Sequence, residues 1–257
     1  MRVLVLGGGY AGVTLTRSLE TKLPDEHEIL LIDDDGQHLV QHELHRVVRR
    51  PALAEEITVE LPELVDRATV RIGIVEAVRP SDRTAVVSFE DRPDASSGQG
   101  RAQDDQDAAN TDAADATGTK ELLEYDACAV AVGAAPSLTV EGVAEHAVPL
   151  KRIEDARRIH ERATTLFDSE REDGQIVVGG AGLSGIQVAG ELAALGAEHD
   201  TNGGDGAPEE TPSLLLLEQE DTVAPGFGDP FQAAVRSALE SRGVTVRTGT
   251  AVERVTD

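Results

Sequence analysis

Residues 2–12 read RVLVLGGGYAG, and this stretch decides the fold. A strand-forming run, VLVL, leads directly into the pattern G-x-G-x-x-G at Gly7, Gly9 and Gly12. A helical pattern follows at residues 13–22, and a second apolar run at residues 29–32 ends on Asp33. This order of strand, glycine-rich turn, helix, strand and acid is typical of a dinucleotide-binding βαβ unit.

The residues of this turn have separate predicted roles. Gly7 permits the tight turn, Gly9 lets a pyrophosphate approach the backbone, and Gly12 lets the helix pack closely on the strand. The phosphates would lie at the helix N-terminus, where free N–H groups favour negative charge. Asp33 stands where the pattern places a carboxylate for the ribose hydroxyls. The candidate contacts of this first site are Gly7, Gly9, Tyr10, Ala11, Gly12 and Asp33.

The same pattern recurs near the middle of the chain. Residues 175–185 read QIVVGGAGLSG, a helical pattern follows at residues 186–195, and a strand at residues 214–217 ends on Glu218. A polar insertion at about residues 197–212 separates this helix from its strand, and without it the spacing is the usual one. The candidate contacts of this second site are Gly180, Gly182, Leu183, Ser184, Gly185 and Glu218.

Composition and charge narrow the function classes. The 257 residues include 48 Asp and Glu against 23 Lys and Arg, a net charge of −25. Nucleic-acid binding needs a basic face and is therefore not expected. The acidity is spread along the chain, and Arg is used in place of Lys. This pattern resembles proteins of salt-loving archaea, in which salt screens the self-repulsion.

The single cysteine and the hydropathy indicate the compartment. Cys128 lies in a strand-like run and cannot form a disulfide within the chain, which suits a reducing cytosol. We expect no signal peptide, because the N-terminus enters a core strand at once. No apolar run approaches the roughly 18 residues of a membrane-spanning helix. The sequence therefore predicts a cytoplasmic protein.

Several other segments carry expectations. His38, His42 and His45 could share one helix face, but no Cys or well-placed carboxylate completes a metal site. We expect this passage to lie beside a bound cofactor instead. Residues 51–65 read as helical or mixed, residues 68–78, 84–89 and 121–132 as strands, and residues 154–167 as an amphipathic helix. Residues at about 92–120 are acidic and lack large apolar side chains, which predicts a disordered insertion.

These motifs together resemble the FAD-dependent pyridine nucleotide-disulfide oxidoreductase superfamily, and within it the type II NADH dehydrogenases. The matching pieces are both glycine patterns, residues 131–133 (AVG, the family's "A-T-G" turn) and residues 218–246. The resemblance implies FAD at the first site and NADH at the second. It adds Val75 at the adenine and Ala131, Val132 and Gly133 beside the flavin pyrophosphate. Glu218 would accept from a 2′-hydroxyl and repel a 2′-phosphate, which favours NADH over NADPH.

The resemblance also implies an architecture and a reaction. The expected fold is α/β, with two Rossmann-like domains of three layers and mainly parallel sheets, an FAD domain at 1–140 and an inserted NAD domain at 141–257. Antiparallel connections are expected near residues 139–140 and 148–150. The implied enzyme passes a hydride from NADH to FAD and on to a quinone or similar acceptor. No catalytic side chain is assigned, because the flavin performs the transfer.

Departures from the family leave alternatives open. Residues 41–45 read QHELH where the family has Q-P-L-L-Y, and Gln187 replaces a common Glu. Family members also continue past residue 257 with further flavin contacts and parts for dimerisation and peripheral membrane attachment. The alternatives are a truncated or non-catalytic dinucleotide-binding protein, and a soluble NADH-dependent reductase of a ferredoxin-like partner. A C-x-x-C pair is absent, which disfavours disulfide reductases and the sulfide:quinone branch.

Overall fold

A computed structural model describes residues 1–90, 118–135, 139–169, 174–202 and 212–256. The chain divides into two compact units. The first comprises Met1–Leu39 and Val59–Ala134, and the second comprises Val40–Thr58 and Ala135–Asp257. The predicted border between residues 140 and 141 therefore falls six residues after this division, and the prediction placed residues 40–58 in the first domain.

The elements are numbered in chain order. The strands are β1 (Arg2–Leu6), β2 (Glu28–Asp33), β3 (Gln37–Leu39), β4 (Thr58–Glu60), β5 (Thr69–Ile72), β6 (Ile74–Arg79), β7 (Thr84–Glu90), β8 (Gly118–Glu124), β9 (Ala127–Val130), β10 (Gln175–Gly179), β11 (Ser213–Leu217) and β12 (Val244–Arg247). The helices are α1 (Tyr10–Lys22), α2 (Leu44–Arg49), α3 (Leu61–Leu64), α4 (Val143–His146), α5 (Ile153–Phe167), α6 (Leu183–Asn202) and α7 (Asp229–Glu240).

The first unit is built around a parallel sheet in the order β5-β2-β1-β9. One face packs on helices, and its core comprises Val5, Val13, Leu31 and Leu61. The opposite face packs on an antiparallel sheet in the order β6-β7-β8. That core comprises Leu4, Leu6, Leu30, Ile32, Ala85, Val87, Phe89 and Leu123. Burial on both faces explains why β1 and β2 read as continuous apolar runs rather than alternating ones.

The second unit contains a parallel sheet in the order β10-β11-β12, against which α6 and α7 pack. Leu214, Leu216 and Val244 are buried in this sheet, whereas Val177 is 51% exposed. Helix α2 packs on α5 and α6 in the same unit. An ion pair between Arg49 Nε and a Glu191 oxygen, 2.8 Å apart, joins α2 to α6.

Two predicted strands are each divided in the structure. The predicted strand at residues 68–78 separates at Gly73 into β5 and β6, which belong to different sheets. A Cβ at Gly73 would lie 2.7 Å from the Phe89 ring, so the sharp passage between layers requires glycine. The predicted strand at residues 121–132 separates into β8 and β9. Asp126 turns the chain there by donating its N–H to the Arg2 carbonyl at 2.9 Å.

Other expectations need correction at their borders. Residues 118–120 of the predicted acidic insertion form the start of β8, and residues 197–202 of the second insertion continue α6. The rest of both insertions, 91–117 and 203–211, lies outside the described residues. Residues 139–140 and 148–150 form no antiparallel connection, and nearby Glu141 instead forms an isolated parallel bridge with Arg254. Residues 51–65, predicted to be helical or mixed, are mixed and contain a 3₁₀ turn, β4 and α3.

The predicted fold class is confirmed, since the structure is α/β with mainly parallel sheets. Cys128 lies on β9, is partly buried, and packs against the core of the first unit. Burial raises the pKa of its thiol. Within the described ranges, no helix combines the length and apolar character that a membrane crossing requires.

Candidate functional site

The first glycine turn joins β1 to α1 through a strained but well-bonded backbone. Gly7 has φ +106° and donates its N–H to the Ile32 carbonyl at 2.7 Å. A Cβ at this position would overlap the carbonyl oxygen of Ala131. Only glycine combines the positive φ with this close approach. The chain therefore turns sharply at the carboxyl end of the parallel sheet, where α/β folds bind ligands.

The next two glycines have different surroundings. A Cβ at Gly12 would overlap the Gly7 carbonyl oxygen, so α1 can approach the turn only because that atom is missing. At Gly9 a Cβ would meet nothing within 4 Å, and the residue is exposed. Gly9 is also the N-cap of α1, without a side-chain cap. The open side of the loop is therefore the N-terminus of α1, the part of a helix that favours a bound anion.

The second turn repeats this geometry between β10 and α6. Gly180 has φ +92° and donates its N–H to the Leu217 carbonyl at 2.8 Å. A Cβ at Gly185 would overlap the Gly180 carbonyl oxygen, as Gly12 does with Gly7. Gly182 has open space around its missing Cβ. The two loops therefore share the hydrogen bond from the N–H of the first glycine to the neighbouring strand, and they share the same open side.

Each predicted ribose acid already braces its own loop. Asp33 Oδ2 accepts the Gly8 N–H at 2.6 Å, and Glu218 Oε2 accepts the Ala181 N–H at 2.6 Å. Gly8 and Ala181 are the second residues of their respective turns. Glu218 is only 6% exposed. These carboxylates are thus part of the loop architecture as well as candidate ribose ligands.

The carbonyl of that same second residue is also held, by a different donor in each unit. His38 Nδ1 lies 3.0 Å from the Gly8 carbonyl oxygen, and Ala224 donates its N–H to the Ala181 carbonyl at 2.8 Å. The sequence left open whether His38, His42 and His45 share one helix face. His38 lies on β3, while His42 and His45 lie in a 3₁₀ turn and α2. No local pattern in the sequence indicated its contact with Gly8.

The predicted AVG turn closes one side of the first loop. Ala131 donates its N–H to the Leu6 carbonyl at 2.7 Å, which places its own carbonyl over Gly7. Gly133 has φ +73°, and Val132 is exposed. At Gly180, by contrast, no atom of the described residues lies within 4 Å of where a Cβ would be.

The remaining predicted contacts are dispersed. Tyr10 is exposed at the start of α1, and its ring meets the His38 ring edge to face at 4.7 Å. Leu183 and Ser184 are exposed at the start of α6. Val75 lies on β6 and packs partly against the first unit's core, away from the glycine turn in sequence. A direct ligand contact for each of these residues stays a prediction.

The electrostatics around the first loop come from backbone dipoles and acids. Residues 7–13 and 180–186 contain no Lys or Arg, so N–H groups must meet any phosphate charge. One group of close carboxylates occurs among the described residues, comprising Asp33, Asp34 and Asp35. Burial, aided by the Asp33 and Asp34 charges, raises the pKa of Asp35 to about 6.

This geometry agrees with comparisons to known proteins. The sequence pattern of the pyridine nucleotide-disulphide oxidoreductase family matches residues 1–257. The chain belongs to this family. A type II NADH:quinone oxidoreductase of Staphylococcus epidermidis is 25% identical over 260 residues, covering 98% of this chain and 57% of that protein. The chain therefore spans little more than half of this relative's length.

Solved structures of other proteins share the fold. NDH2 from Plasmodium falciparum, in complex with NADH, superposes with a TM-score of 0.79 and 18% identity, covering 99% of this chain and 49% of that one. An NAD-dependent persulfide reductase from A. fulgidus gives a TM-score of 0.72 and 21% identity, covering 100% of this chain and 41% of that one. The family predicted from the two glycine patterns is thus confirmed.

Proposed function

We propose that this chain supplies the FAD- and NADH-binding part of an NADH dehydrogenase of the NADH:quinone oxidoreductase type. The observation that carries this proposal is the repeated loop geometry, in which two glycine turns have matching hydrogen bonds and open sides. A single turn would fit one nucleotide. Two turns in one chain fit a pair of dinucleotides, one for each unit.

The first loop is the proposed FAD site. Its backbone at Gly9 has the open space that a pyrophosphate needs at the N-terminus of α1, and Asp33 lies at the end of β2 for the ribose hydroxyls. Ala131, Val132 and Gly133 would border the flavin pyrophosphate, with Tyr10, Ala11 and Val75 as further proposed contacts. A bound flavin accepts hydride from reduced nicotinamide and releases electrons singly or in pairs.

The second loop is the proposed NADH site. Gly182 offers the corresponding open backbone, and Gly180, Leu183, Ser184 and Gly185 complete the turn. The buried carboxylate of Glu218 favours a ribose 2′-hydroxyl and disfavours a 2′-phosphate, because like charges repel. Gln219, Glu220 and Asp221 add no positive charge next to it. NADH is therefore the proposed electron donor rather than NADPH.

The proposed electron acceptor is a quinone or another small molecule. The 257 residues contain one cysteine, so they cannot form the cysteine pair that a dithiol relay uses. The Staphylococcus epidermidis relative is named as an NADH:quinone oxidoreductase, which supports the same acceptor class here. Attachment to the inner face of the cell membrane and assembly as a homodimer belong to this proposal.

An anaerobic absorption spectrum tests this proposal. The protein is purified in molar KCl, saturated with FAD, passed through a desalting column, and recorded before and after NADH is added. We expect the visible bands of oxidised flavin to remain with the protein and to bleach with NADH, and a quinone analogue to restore them. Glu218→Gln is the matched variant, and it should retain flavin while needing more NADH for bleaching. A protein that retains no FAD contradicts the proposed function and favours a non-catalytic nucleotide-binding role.

A further inference from the structure

Side chains hold the two peptide groups on either side of the Gly8 Cα, Asp33 the Gly7–Gly8 group and His38 the Gly8–Gly9 group. The Gly8 N–H donates to Asp33 Oδ2 at 2.6 Å, and the Gly8 carbonyl oxygen lies 3.0 Å from His38 Nδ1. A carbonyl oxygen can only accept, so Nδ1 of His38 carries the hydrogen in this bond. His38 is 8% exposed, and Gly8 is buried as well. Water therefore competes little for either bond.

Holding the Gly8 carbonyl also orients the N–H of Gly9. The bond between these residues is trans, so the C=O of Gly8 and the N–H of Gly9 point in opposite directions. With the carbonyl directed at the buried His38, the Gly9 N–H is directed to the other side. Gly9 is exposed there and caps α1, at the position where a pyrophosphate would approach.

Without such a bond this peptide group could rotate at low cost. Glycine reaches both positive and negative φ, and here it stands on both sides of the rotating group. A rotated peptide would direct the Gly8 carbonyl, rather than the Gly9 N–H, at the ligand. A carbonyl oxygen repels phosphate, so the loop would present the wrong dipole.

We propose that His38 is a positioning residue that locks the Gly8–Gly9 peptide in the orientation that binds the flavin pyrophosphate. This inference rests on the proposed FAD site and deepens it. His38 touches the loop backbone rather than the dinucleotide in this assignment. Its role is to pre-orient a donor before the ligand arrives, so that binding does not bear the cost of ordering the loop.

The same carboxylate that holds Gly8 also positions His38. Asp33 Oδ1 accepts the Gly36 N–H at 3.1 Å, and Gly36 has φ +76°. This turn directs the chain into β3, which carries His38 two residues later. The Tyr10 ring then contacts the imidazole edge to face. Asp33 thus connects both halves of the lock.

The second loop contains the same lock without a side chain. The Ala181 carbonyl accepts the Ala224 N–H at 2.8 Å, and Ala224 is 1% exposed. Since this donor belongs to the backbone, substitutions at His38 leave it in place. The NADH site is therefore an internal control for any change made at His38.

Three variants of the 257-residue chain test the role of the Nδ1 donor. His38→Ala removes the donor, His38→Asn keeps an amide N–H close to the Nδ1 position, and His38→Gln moves it to the Nε2 position. Titrations follow FAD by quenching of its fluorescence and NAD⁺ by calorimetry. We expect His38→Ala and His38→Gln to raise the FAD Kd at least tenfold, about 1.4 kcal/mol or more. His38→Asn should stay within about threefold of the parent, and all NAD⁺ affinities should be unchanged.

Nitrogen-15 NMR of the FAD-free protein supplies a second readout. We expect the His38 imidazole to be the Nδ1–H tautomer in the parent, and the Gly9 amide signal to broaden in His38→Ala but not in His38→Asn. If all three variants bound FAD as tightly as the parent, the inference about His38 would be overturned, and the proposed FAD site would stand. Equal loss in all three, together with weaker NAD⁺ binding, would overturn it in favour of a general structural role. A parent that binds no FAD yet shows the tautomer and the broadening would overturn the proposed function and support the peptide lock.

Discussion

The two glycine loops of this chain have similar hydrogen bonds, but different residues contact them. In both, the last glycine packs on the carbonyl of the first, and a strand-end acid accepts the N–H of the second residue. In the first loop the Ala131 carbonyl lies over Gly7, whereas in the part of the chain that the structure describes no residue beyond its chain neighbours approaches Gly180 in this way. A side chain holds the Gly8 carbonyl, whereas a backbone N–H holds that of Ala181.

This difference separates what the fold requires from what each site adds. The shared hydrogen bonds are those needed to connect a strand to the following helix by a tight turn that leaves the helix N-terminus accessible. The differing contacts come from residues distant in sequence, which each unit supplies in its own way. Substitutions at matched positions can therefore show which contacts belong to the turn and which to its surroundings.

The largest expected effect comes from the glycines that the loops share. In Gly12→Ala or Gly185→Ala the new Cβ overlaps a carbonyl oxygen of the same turn, so the helix must move away from the strand. We expect a loss of about 3 kcal/mol or more in the free energy of unfolding. Urea unfolding in molar KCl measures it, and each variant should lose the dinucleotide of its own loop only.

Gly9→Ala and Gly182→Ala are the matched controls. A Cβ at either position meets nothing within 4 Å, so the free energy of unfolding should change by less than about 1 kcal/mol. If Gly12→Ala were as stable as Gly9→Ala, the close packing of α1 on the turn would be wrong.

A second pair of variants tests the contact of the Ala131 carbonyl with Gly7, which has no counterpart at Gly180 among the described residues. Gly7→Ala and Gly180→Ala both place alanine at positive φ, which costs about 1–2 kcal/mol in each. Gly7→Ala must also displace the Ala131 carbonyl, and we expect this to add about 1–2 kcal/mol. The difference between the two urea midpoints, converted with each variant's own m-value, gives this contribution. Equal losses in the free energy of unfolding would show that the Ala131 carbonyl moves aside at no measurable cost.

The bracing acids should give smaller, loop-specific effects. Asp33→Asn and Glu218→Gln each replace an acceptor oxygen by an NH₂ group that cannot accept a backbone N–H. We expect each to lower the free energy of unfolding by about 1–2 kcal/mol. Titrations with both dinucleotides measure the specificity: Asp33→Asn should weaken FAD alone, and Glu218→Gln should weaken NAD⁺ alone. A variant that weakened both ligands equally would count against independent loops.

The smallest expected effect concerns pH and Asp35. Its pKa in the folded protein is raised to about 6, chiefly by burial, from an ordinary value near 3.8. The folded state therefore holds this proton more tightly, and the stability that Asp35 contributes falls as pH rises between about 4 and 6. Asp35→Asn should consequently raise the free energy of unfolding more at pH 8 than at pH 4, as measured by urea unfolding. We expect a difference of less than about 1 kcal/mol, because the carboxyl lies at the surface, is only partly desolvated and is screened by solvent.

The second loop offers a matched variant for this pH test. Glu220 occupies the position corresponding to Asp35, and its N–H donates to Glu218 just as the Asp35 N–H donates to Asp33. Glu220→Gln measured in the same way controls for the loss of one acidic charge. An Asp35→Asn gain that was the same at pH 4 and pH 8 would contradict the raised pKa.

Local patterns in the sequence predicted most of the elements around both sites. The strands and helices beside Gly7 and Gly180 follow from apolar runs and helical spacing, which depend on neighbouring residues only. The predicted strands were wrong where one apolar run of the sequence contributes to two different sheets. At Gly73 the chain leaves one sheet and enters another, and nothing in the run from residue 69 to 78 marks the change except that glycine.

By itself, the sequence determined the two βαβ units, their glycine turns and the acids Asp33 and Glu218, because these depend on short-range spacing and on the missing Cβ of glycine. The tertiary structure alone decided what those acids hold, and that His38 and Ala224 secure the two loop carbonyls. The contacts with Gly8 and Ala181 join residues 25 or more positions apart. Many backbone paths could connect them, and only the packing of the strands selects the one that brings donor and acceptor within bonding distance.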